Sequence, residues 1–555
     1  MHLFSEGQIR VTICILDSII TAKEAAEELL VQLKQGNWSE YEEITETMIC
    51  LLGGIKKTAQ PYRDKYDFIW LPLTCESMIT LLNDLQCKKN QKNYIVKKIQ
   101  FELIPVLEEA YQQFYFWTYV YSYPDREKKY YEEEIYELSS NHYTNESIKT
   151  GKYKYDVSFV IMAYNKLEYT KLCIENLMKN IPENLNYELI LWDNGSTDGT
   201  KEYFESLNSD KLLESRINWA IGNTVLRISE AKYFILISND IIVTKNVIFN
   251  MLECAKSNDK IARIVPSTPN ISNLQSIYAN YESFDQLQEF AEKNNVLDPS
   301  RWEERVRLCD PISLNSMPLY CSKNGICMHG YYLNDFLSFP DDKISLLYRR
   351  RGYKQILQKD AYCHHFGSVT IKEDKNIQKE NYYLDGRMKF RSQFGIDPWS
   401  KGFCFDSLFN NKCVVKAGNS HIEILGINCG FGGNSLKIKE QLKEYFHIFD
   451  TKLINITDEK EFIFDLDGIS DQAEFINDKN QLVKFLQEKN FDYIIWEIPF
   501  LCNYKFDELF DLLYSHMNKS GVILIKNIDS FLDILKRDSK IENLEILKNW
   551  VRIEL

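Results

Sequence analysis

Residues 155–200 read YDVSFVIMAYNKLEYTKLCIENLMKNIPENLNYELILWDNGSTDGT. The β-branched, apolar run Val157 to Ile161 predicts a buried strand. A polar break at Tyr164-Asn165-Lys166 follows. Leu172, Ile174, Leu177 and Met178 then recur at helical spacing. A second buried strand is expected from Tyr187 to Trp192, ending in Asp193-Asn194-Gly195-Ser196-Thr197-Asp198-Gly199-Thr200. This is a β-α-β unit, which builds parallel sheets whose ligand groups lie beyond the carboxyl ends of the strands. An acid at a strand end, before a glycine-rich turn into a helix, is a place where nucleotides are held.

The next informative stretch is Ala231 to Val243, AKYFILISNDIIV. Tyr233 to Ile237 predicts another buried strand, running into Ser238-Asn239-Asp240 and a further apolar pair. Asp240 has two readings, a turn residue after a strand or a carboxylate for a divalent cation that neutralises a diphosphate. Further on, Ile344, Leu346 and Leu347 precede Arg349-Arg350-Arg351 and Gly352, predicting a helix with cations in its last turn and a glycine stop. Asp341 and Asp342 open it. They are either favourable charges at a helix N-terminus or a general base for proton transfer.

Together these residues resemble the inverting family-two glycosyltransferases of GT-A fold, over roughly Tyr155 to Trp399. The family usually has Pro-Thr-Tyr-Asn where this chain has Met162-Ala163-Tyr164-Asn165. Its Asp-x-Asp motif falls on Ser238-Asn239-Asp240, so one acid remains. Its Glu-Asp-x-Asp-Leu segment, counted back from Gly352-Tyr353-Lys354, falls on Pro340-Asp341-Asp342-Lys343. The resemblance implies a nucleotide-sugar donor, UDP-linked and by preference UDP-N-acetylglucosamine. It implies donor contacts at Ala163, Tyr164, Asn165, Asp193, Asn194, Ser238 and Asn239, with Asp193 on the uracil. It puts Mg²⁺ or Mn²⁺ on Asp240, and Asp341 as the catalytic base with Asp342 as substitute. The segment Asp360 to Thr370, with His365-Phe366-Gly367-Ser368, resembles the end of the domain. There His365 completes the metal site, or is a buried histidine satisfied by the backbone. Arg387 is a phosphate candidate in the tail that follows.

A chain of 555 residues is too long for one ordinary core, and three domains are expected. Residues 1–140 read as an α-helical bundle. Ile13, Leu16 and Ile20 recur at helical spacing, as do Ala26, Leu29, Leu30 and Leu33. Gly36 is a stop, Ser39 with Glu42 a capping box, and a long helix is expected from about Tyr94 to Tyr119. The bundle is either a plain core or a docking module for a protein acceptor or second subunit. Residues 141–154 read as a linker, 155–400 as the α/β GT-A domain and 419–555 as an α/β Rossmann-like domain. In the last, Ile422 to Leu425 leads to Asn428-Cys429-Gly430-Phe431-Gly432-Gly433, and strands are expected at Lys452 to Ile456, Asp492 to Trp496 and Gly521 to Ile525. This resembles the class-one S-adenosylmethionine methyltransferases. Gly426 stands where their acid does, Asn428 replaces the first glycine, and the second strand ends without a clear ribose-binding acid unless Asn455 or Asp458 serves. A degenerate domain that does not use S-adenosylmethionine is expected.

Apolar residues make up 45% of the chain and charged ones 26%, as in soluble globular proteins. A net charge of −14 argues against nonspecific binding to nucleic acid or anionic membranes. The 14 cysteines have no framework spacing and read as reduced, hence a cytoplasmic protein. Cys363-His364-His365 with Cys327 and His329 fits no standard zinc spacing. The run Val11 to Ile20 is broken by Asp17 and Ser18, so no signal peptide is read, and no run approaches the ~20 apolar residues of a membrane span. Abundant Asn, Lys and Ile suggest an AT-rich bacterial genome. The expected acceptor is a cytosolic hydroxyl, Ser or Thr of a protein such as flagellin. Three other classes stay open: a methyltransferase, a glycan-binding scaffold with dead transferase motifs, and a transferase for a small glycan or lipid-linked acceptor.

Overall fold

The computed structural model describes residues 6–62, 70–116, 150–207, 209–214, 228–321, 339–367, 394–415, 420–528 and 530–555, with 118–119, 147, 384, 386–388 and 390–391. The expected linker lies largely outside these residues, as do Cys327 and His329. The chain divides into two compact units. The first is Met1–Thr244 with Pro311–Pro340 and His364–Gly386; the second is Lys245–Asp310 with Asp341–Cys363 and Arg387–Leu555.

The first unit begins with helices α1 (Glu6–Lys34), α2 (Tyr41–Ala59), α3 (Trp70–Cys87), α4 (Lys92–Lys98) and α5 (Ile104–Phe116). Their buried residues step by four and three. In α1 one line runs through Ile15, Ile19, Ala22, Ala26, Leu29 and Leu33, with Thr12 and Leu16 buried beside it; in α2, Tyr41, Thr45, Met48, Leu52, Ile55 and Ala59; in α3, Leu71, Cys75, Met78, Leu82 and Leu85, with Thr74, Ser77 and Leu81 beside it. That spacing keeps one stripe of each helix on a common core. Ile13 lies off the stripe and is 37% exposed. The capping box does not form: Glu40 is the N-cap without a side-chain cap, Ser39 donates to Asn37, and Glu42 pairs instead with Lys89 at 2.9 Å. The long helix is interrupted by a π-turn at Ile99–Leu103. Pro105 has no amide hydrogen to give the ladder, and the turn widens just ahead of it.

The middle of the chain supplies strands β1 (Tyr155–Ala163), β2 (Tyr187–Asp193), β3 (Lys211–Glu214), β4 (Ala231–Ser238), β5 (Ile241–Ile242), β6 (Ile261–Ser267), β7 (Trp302–Glu304), β8 (Ile312–Ser316), β9 (Lys354–Tyr362) and β10 (His364–His365). In the first unit they stand in the order β3-β2-β1-β4-β8. β1 to β4 are parallel and β8 is antiparallel to β4. Val157 to Ile161 are all buried, the near-continuous apolar pattern of a strand covered on both faces. Helix α6 (Leu167–Asn180) buries Thr170, Cys173, Ile174 and Leu177. Leu172 and Met178 fall off that stripe and are 40% and 45% exposed, so the apolar spacing marks the helix but not its buried face. Helix α7 (Thr200–Ser206) follows β2.

The second unit contains helix α8 (Val247–Ser257), the strand group β6-β9-β7 and helix α9 (Pro340–Arg350), which ends before Gly352 at φ 68°. Its C-terminal sheet comprises β11 (Ile422–Ile427), β12 (Thr451–Thr457), β13 (Gln472–Phe475), β14 (Phe491–Glu497), β15 (Met517–Lys526), β16 (Asn543–Leu547) and β17 (Trp550–Glu554). The order is β13-β12-β11-β14-β15-β17-β16, with the first five parallel and β17 antiparallel to both its neighbours. Helix α10 (Gly433–Phe446) leaves the glycine-rich loop, and α11 (Ile463–Asp467) follows β12.

The glycine-rich loop is satisfied by its own chain. The amides of Phe431 and Gly433 donate to the carbonyls of Lys401 and Gly402, each at 3.0 Å. The Asn434 side chain takes the Asp406 amide at 2.7 Å. Asp458, at the end of the second strand, accepts from Asn428 at 2.6 Å and from the Leu501 amide at 2.7 Å.

Candidate active site

Strand register sets the first part of the site. Ala163 pairs with Asp193, Met162 with Ser238, and Asp193 with Glu214, so the carboxyl ends of four parallel strands finish level. The loops beyond them are stitched together. Asn165 adopts φ 56° and Lys166 φ 66°. The Asn165 amide donates to Ser196 Oγ at 2.8 Å, and the Asn165 side chain accepts from the Thr197 amide at 2.8 Å. The Asn194 amide donates to the Ala163 carbonyl at 2.8 Å. Asp198 caps α6 from the opposite loop, taking the Leu167 amide at 2.8 Å. Burial opposes its ionisation, but hydrogen bonds from Thr200 and from backbone amides outweigh this and lower its pKa. Asn239 uses its amide nitrogen on the Asn165 carbonyl and Thr170 Oγ1, both at 2.9 Å. Asn165 and Asn239 therefore build the loops that shape the site, while Tyr164 stays half-buried beside them.

Asp193 is 3% exposed. Burial pushes its pKa up; Ser196 hydrogen bonds and Lys201 oppose this, and Glu214 adds to it. The Ser196 amide reaches both its oxygens at 3.2 and 3.3 Å.

Asp240 follows Ser238 and Asn239 out of β4. The short strand β5 then pairs antiparallel with β10, with His365 opposite Ile241 and His364 opposite Ile242. The Phe366 amide donates to the Asp240 carbonyl at 3.2 Å. His365 Nε2 lies 3.3 Å from Asp240 Oδ2, and both side chains are largely buried. One carboxylate oxygen and one imidazole nitrogen suit a divalent ion of the Mn²⁺ kind, with diphosphate and water completing its shell. Among the described residues no group of three or more His, Cys, Asp or Glu side chains forms a metal cage.

Asp341 and Asp342 belong to the second unit. Asp342 is buried and held bidentate by Arg307, Nε to Oδ1 at 2.6 Å and Nη2 to Oδ2 at 3.1 Å. Burial nonetheless raises its pKa. The Asp341 side chain keeps 28% of its surface exposed. Its carboxyl hydrogen-bonds Asp310, and both meet the fully buried Arg263, Asp310 at 2.6 Å and Asp341 at 3.4 Å. Burial, then the Asp310 charge, push Asp341 well above the usual carboxylate range, against Arg263 and Arg307. The sequence reading missed Arg263, Arg307 and Asp310. A lone arginine inside the apolar run Ile261-Ala262-Arg263-Ile264-Val265 is the signal for a buried ion pair.

Arg387 holds Asp397 at 2.5 Å and lies over the Trp399 ring. Trp302 donates its indole hydrogen to Asp360 at 2.9 Å. Both are engaged within their own unit.

A comparison with curated proteins found no match. Among solved structures, the mannosyltransferase PcManGT from Pyrobaculum calidifontis in complex with GDP-Man and Mn²⁺ is 15% identical, covering 44% of this chain and 64% of that one with a TM-score of 0.28. GalNAc-T7 with UDP, GalNAc and Mn²⁺ is 11% identical, covering 38% and 44% with a TM-score of 0.30. In both cases the match spans less than two thirds of the other protein. Residues 158–301, about a quarter of the chain, match the family model Glycosyl transferase family 2.

Proposed function

We propose that the chain is an inverting glycosyltransferase that moves a sugar from a nucleotide-sugar to an acceptor hydroxyl. The level strand ends that bring Ala163, Asp193 and Ser238-Asn239-Asp240 to one edge, with His365 beside Asp240, carry this reading. In it Asp193 accepts from the nucleobase, a UDP-sugar being preferred by resemblance. Ala163, Tyr164 and Asn194 line that pocket, and Asp240 with His365 holds Mg²⁺ or Mn²⁺. The cation supplies charge neutralisation for the leaving diphosphate. Asp341 takes the proton from the acceptor oxygen, which then forms the new bond to the anomeric carbon as the bond to the diphosphate breaks. Asp341 is favoured over Asp342 because Arg307 occupies both oxygens of Asp342. The acceptor in this reading is a protein Ser or Thr, flagellin being one candidate.

The C-terminal domain is assigned a supporting role. Its parallel order is that of doubly wound folds, but the loop amides and Asp458 are taken up internally. Asp465 on α11 is fully buried and holds Arg349 and Arg350 at the end of α9, the helix that opens with Asp341.

The test is nucleotide release. UDP-, GDP- and dTDP-sugars are supplied with Mn²⁺ and candidate acceptors, and release is compared for wild type, Asp341→Asn and chelator-treated protein. Release from one donor, lost in both controls, supports the reading. No release from any donor refutes it. Calorimetric binding of S-adenosylmethionine to the full chain would refute the assignment of the C-terminal domain.

A further inference from the structure

The helical module meets strand β3, beside the candidate nucleobase site, at Lys98. Lys98, at the end of α4, is 3% exposed. Its ammonium group donates to Glu102 at 2.8 Å, Glu214 at 2.9 Å and the Leu212 carbonyl at 3.3 Å. Helix α4 and the π-turn pack against β3, where Phe101 lies 5.2 Å from the Lys211 ammonium. Glu214 ends β3 and is the register partner of Asp193 on β2. Neighbouring strands lie only ~5 Å apart, so the two carboxyl groups occupy adjacent positions at one sheet edge. Lys201 reaches the other Glu214 oxygen at 3.0 Å, but its side chain is 28% exposed and so screened by water.

We propose that Lys98 is a positioning residue for the donor site: the helical module supplies the buried cation that neutralises Glu214 and leaves Asp193 able to serve as a carboxylate. This rests on the reading of Asp193 as the nucleobase ligand. The charged groups that bear on Asp193 are Glu214, which raises its pKa, and Lys201, which lowers it, beside the Ser196 hydrogen bonds. Without Lys98, Glu214 loses its buried cation, and its charge bears more strongly on a second charge beside it. The bundle then acts as part of the site's charge frame and not simply as a packed appendage.

The experiment measures UDP binding in Mn²⁺ by calorimetry on the full chain across pH, with thermal unfolding alongside. Lys98→Met is expected to shift the acid limb of UDP binding to higher pH, with a loss of up to about tenfold per pK unit of displaced ionisation once pH lies below the pKa of Asp193. Lys98→Arg keeps wild-type affinity. The double variant Lys98→Met/Glu214→Gln regains affinity and returns the acid limb of UDP binding to its wild-type pH or below, a readout that a purely structural role of Lys98 does not move. Unchanged binding in Lys98→Met, or no recovery in the double variant, overturns the proposal. If Lys98→Met does not fold, Glu214→Gln alone decides: UDP binding must persist to lower pH than in wild type, and an unchanged profile overturns it. Wild-type protein that binds none of UDP, GDP or dTDP overturns the reading of Asp193 itself, and with it the role of Lys98.

Discussion

His365 Nε2 stands 3.3 Å from Asp240 Oδ2 because two residues of β10 pair with two residues of β5. A backbone ladder thus sets the spacing of the two side chains proposed to hold the metal. Asp240→Asn is expected to abolish Mn²⁺-dependent nucleotide binding, and His365→Ala to weaken it by more than about tenfold. Calorimetry with and without chelator checks both. Nucleotide affinity that ignores chelator and Asp240→Asn alike would remove the cation from the site.

As the proposed base, Asp341 would set a pH dependence. A base works only when ionised, so activity falls as pH drops through its pKa, which lies well above the usual carboxylate range. Replacing Asp310 by Asn removes the neighbouring charge that helps raise that pKa, so the acid limb of the pH–rate profile moves to lower pH. Asp341→Asn should cost about 10²–10⁴-fold in turnover. Asp342→Asn should act mainly on stability, since it breaks the pairing with Arg307. An acid limb that stays in place in Asp310→Asn would separate the two carboxyl groups functionally.

Glu303 binds Arg305 at 2.6 Å, Lys359 at 2.7 Å and Lys437 at 2.8 Å while itself 3% exposed. Burial alone would raise its pKa; the three cations outweigh that and hold it well below the usual carboxylate range. A depressed folded-state pKa means stability that is full above the unfolded value of ~4.5 and lost as pH falls toward the folded one. Glu303→Gln strands buried cations and should destabilise the second unit by about 3–5 kcal/mol at neutral pH, as read by urea unfolding. The variant should also lose part of the acid sensitivity of the wild type.

Gly402 carries φ +76°, and a Cβ there would meet the Cys429 carbonyl oxygen at 2.1 Å. Backbone stands on both sides of this contact, so neither can swing away. Gly402→Ala should destabilise by more than about 1 kcal/mol, seen as a lower unfolding midpoint. An unchanged midpoint would mean that the segment around Gly402 does not hold the glycine-rich loop.

The strands are the legible part of this sequence. Val157 to Ile161 and Tyr233 to Ile237 are apolar because parallel strands are covered on both faces, and that pattern survives without knowing the neighbours. The acids at strand ends are legible for the same reason, since a strand must stop where its apolar run stops. What stays hidden is set by tertiary approach. Arg263 meets Asp310 and Asp341, and Arg307 meets Asp342, across stretches that no local pattern connects. Ser39 looked like a cap by spacing, yet Asn37 competes for its hydroxyl. Leu172 and Met178 are apolar but exposed, because the sheet takes the stripe through Cys173, Ile174 and Leu177.

The carbonyls of Lys401 and Gly402 that seal the glycine-rich loop have a practical corollary for dissecting the chain. Amides at the start of a helix attract anions when nothing covers them. A fragment begun at residue 419 leaves those carbonyls behind and bares the amides of Phe431 and Gly433 to buffer. It would pick up phosphate or sulfate through a site that the intact chain keeps shut, and nucleotide affinity measured on such a fragment would describe the cut and not the protein.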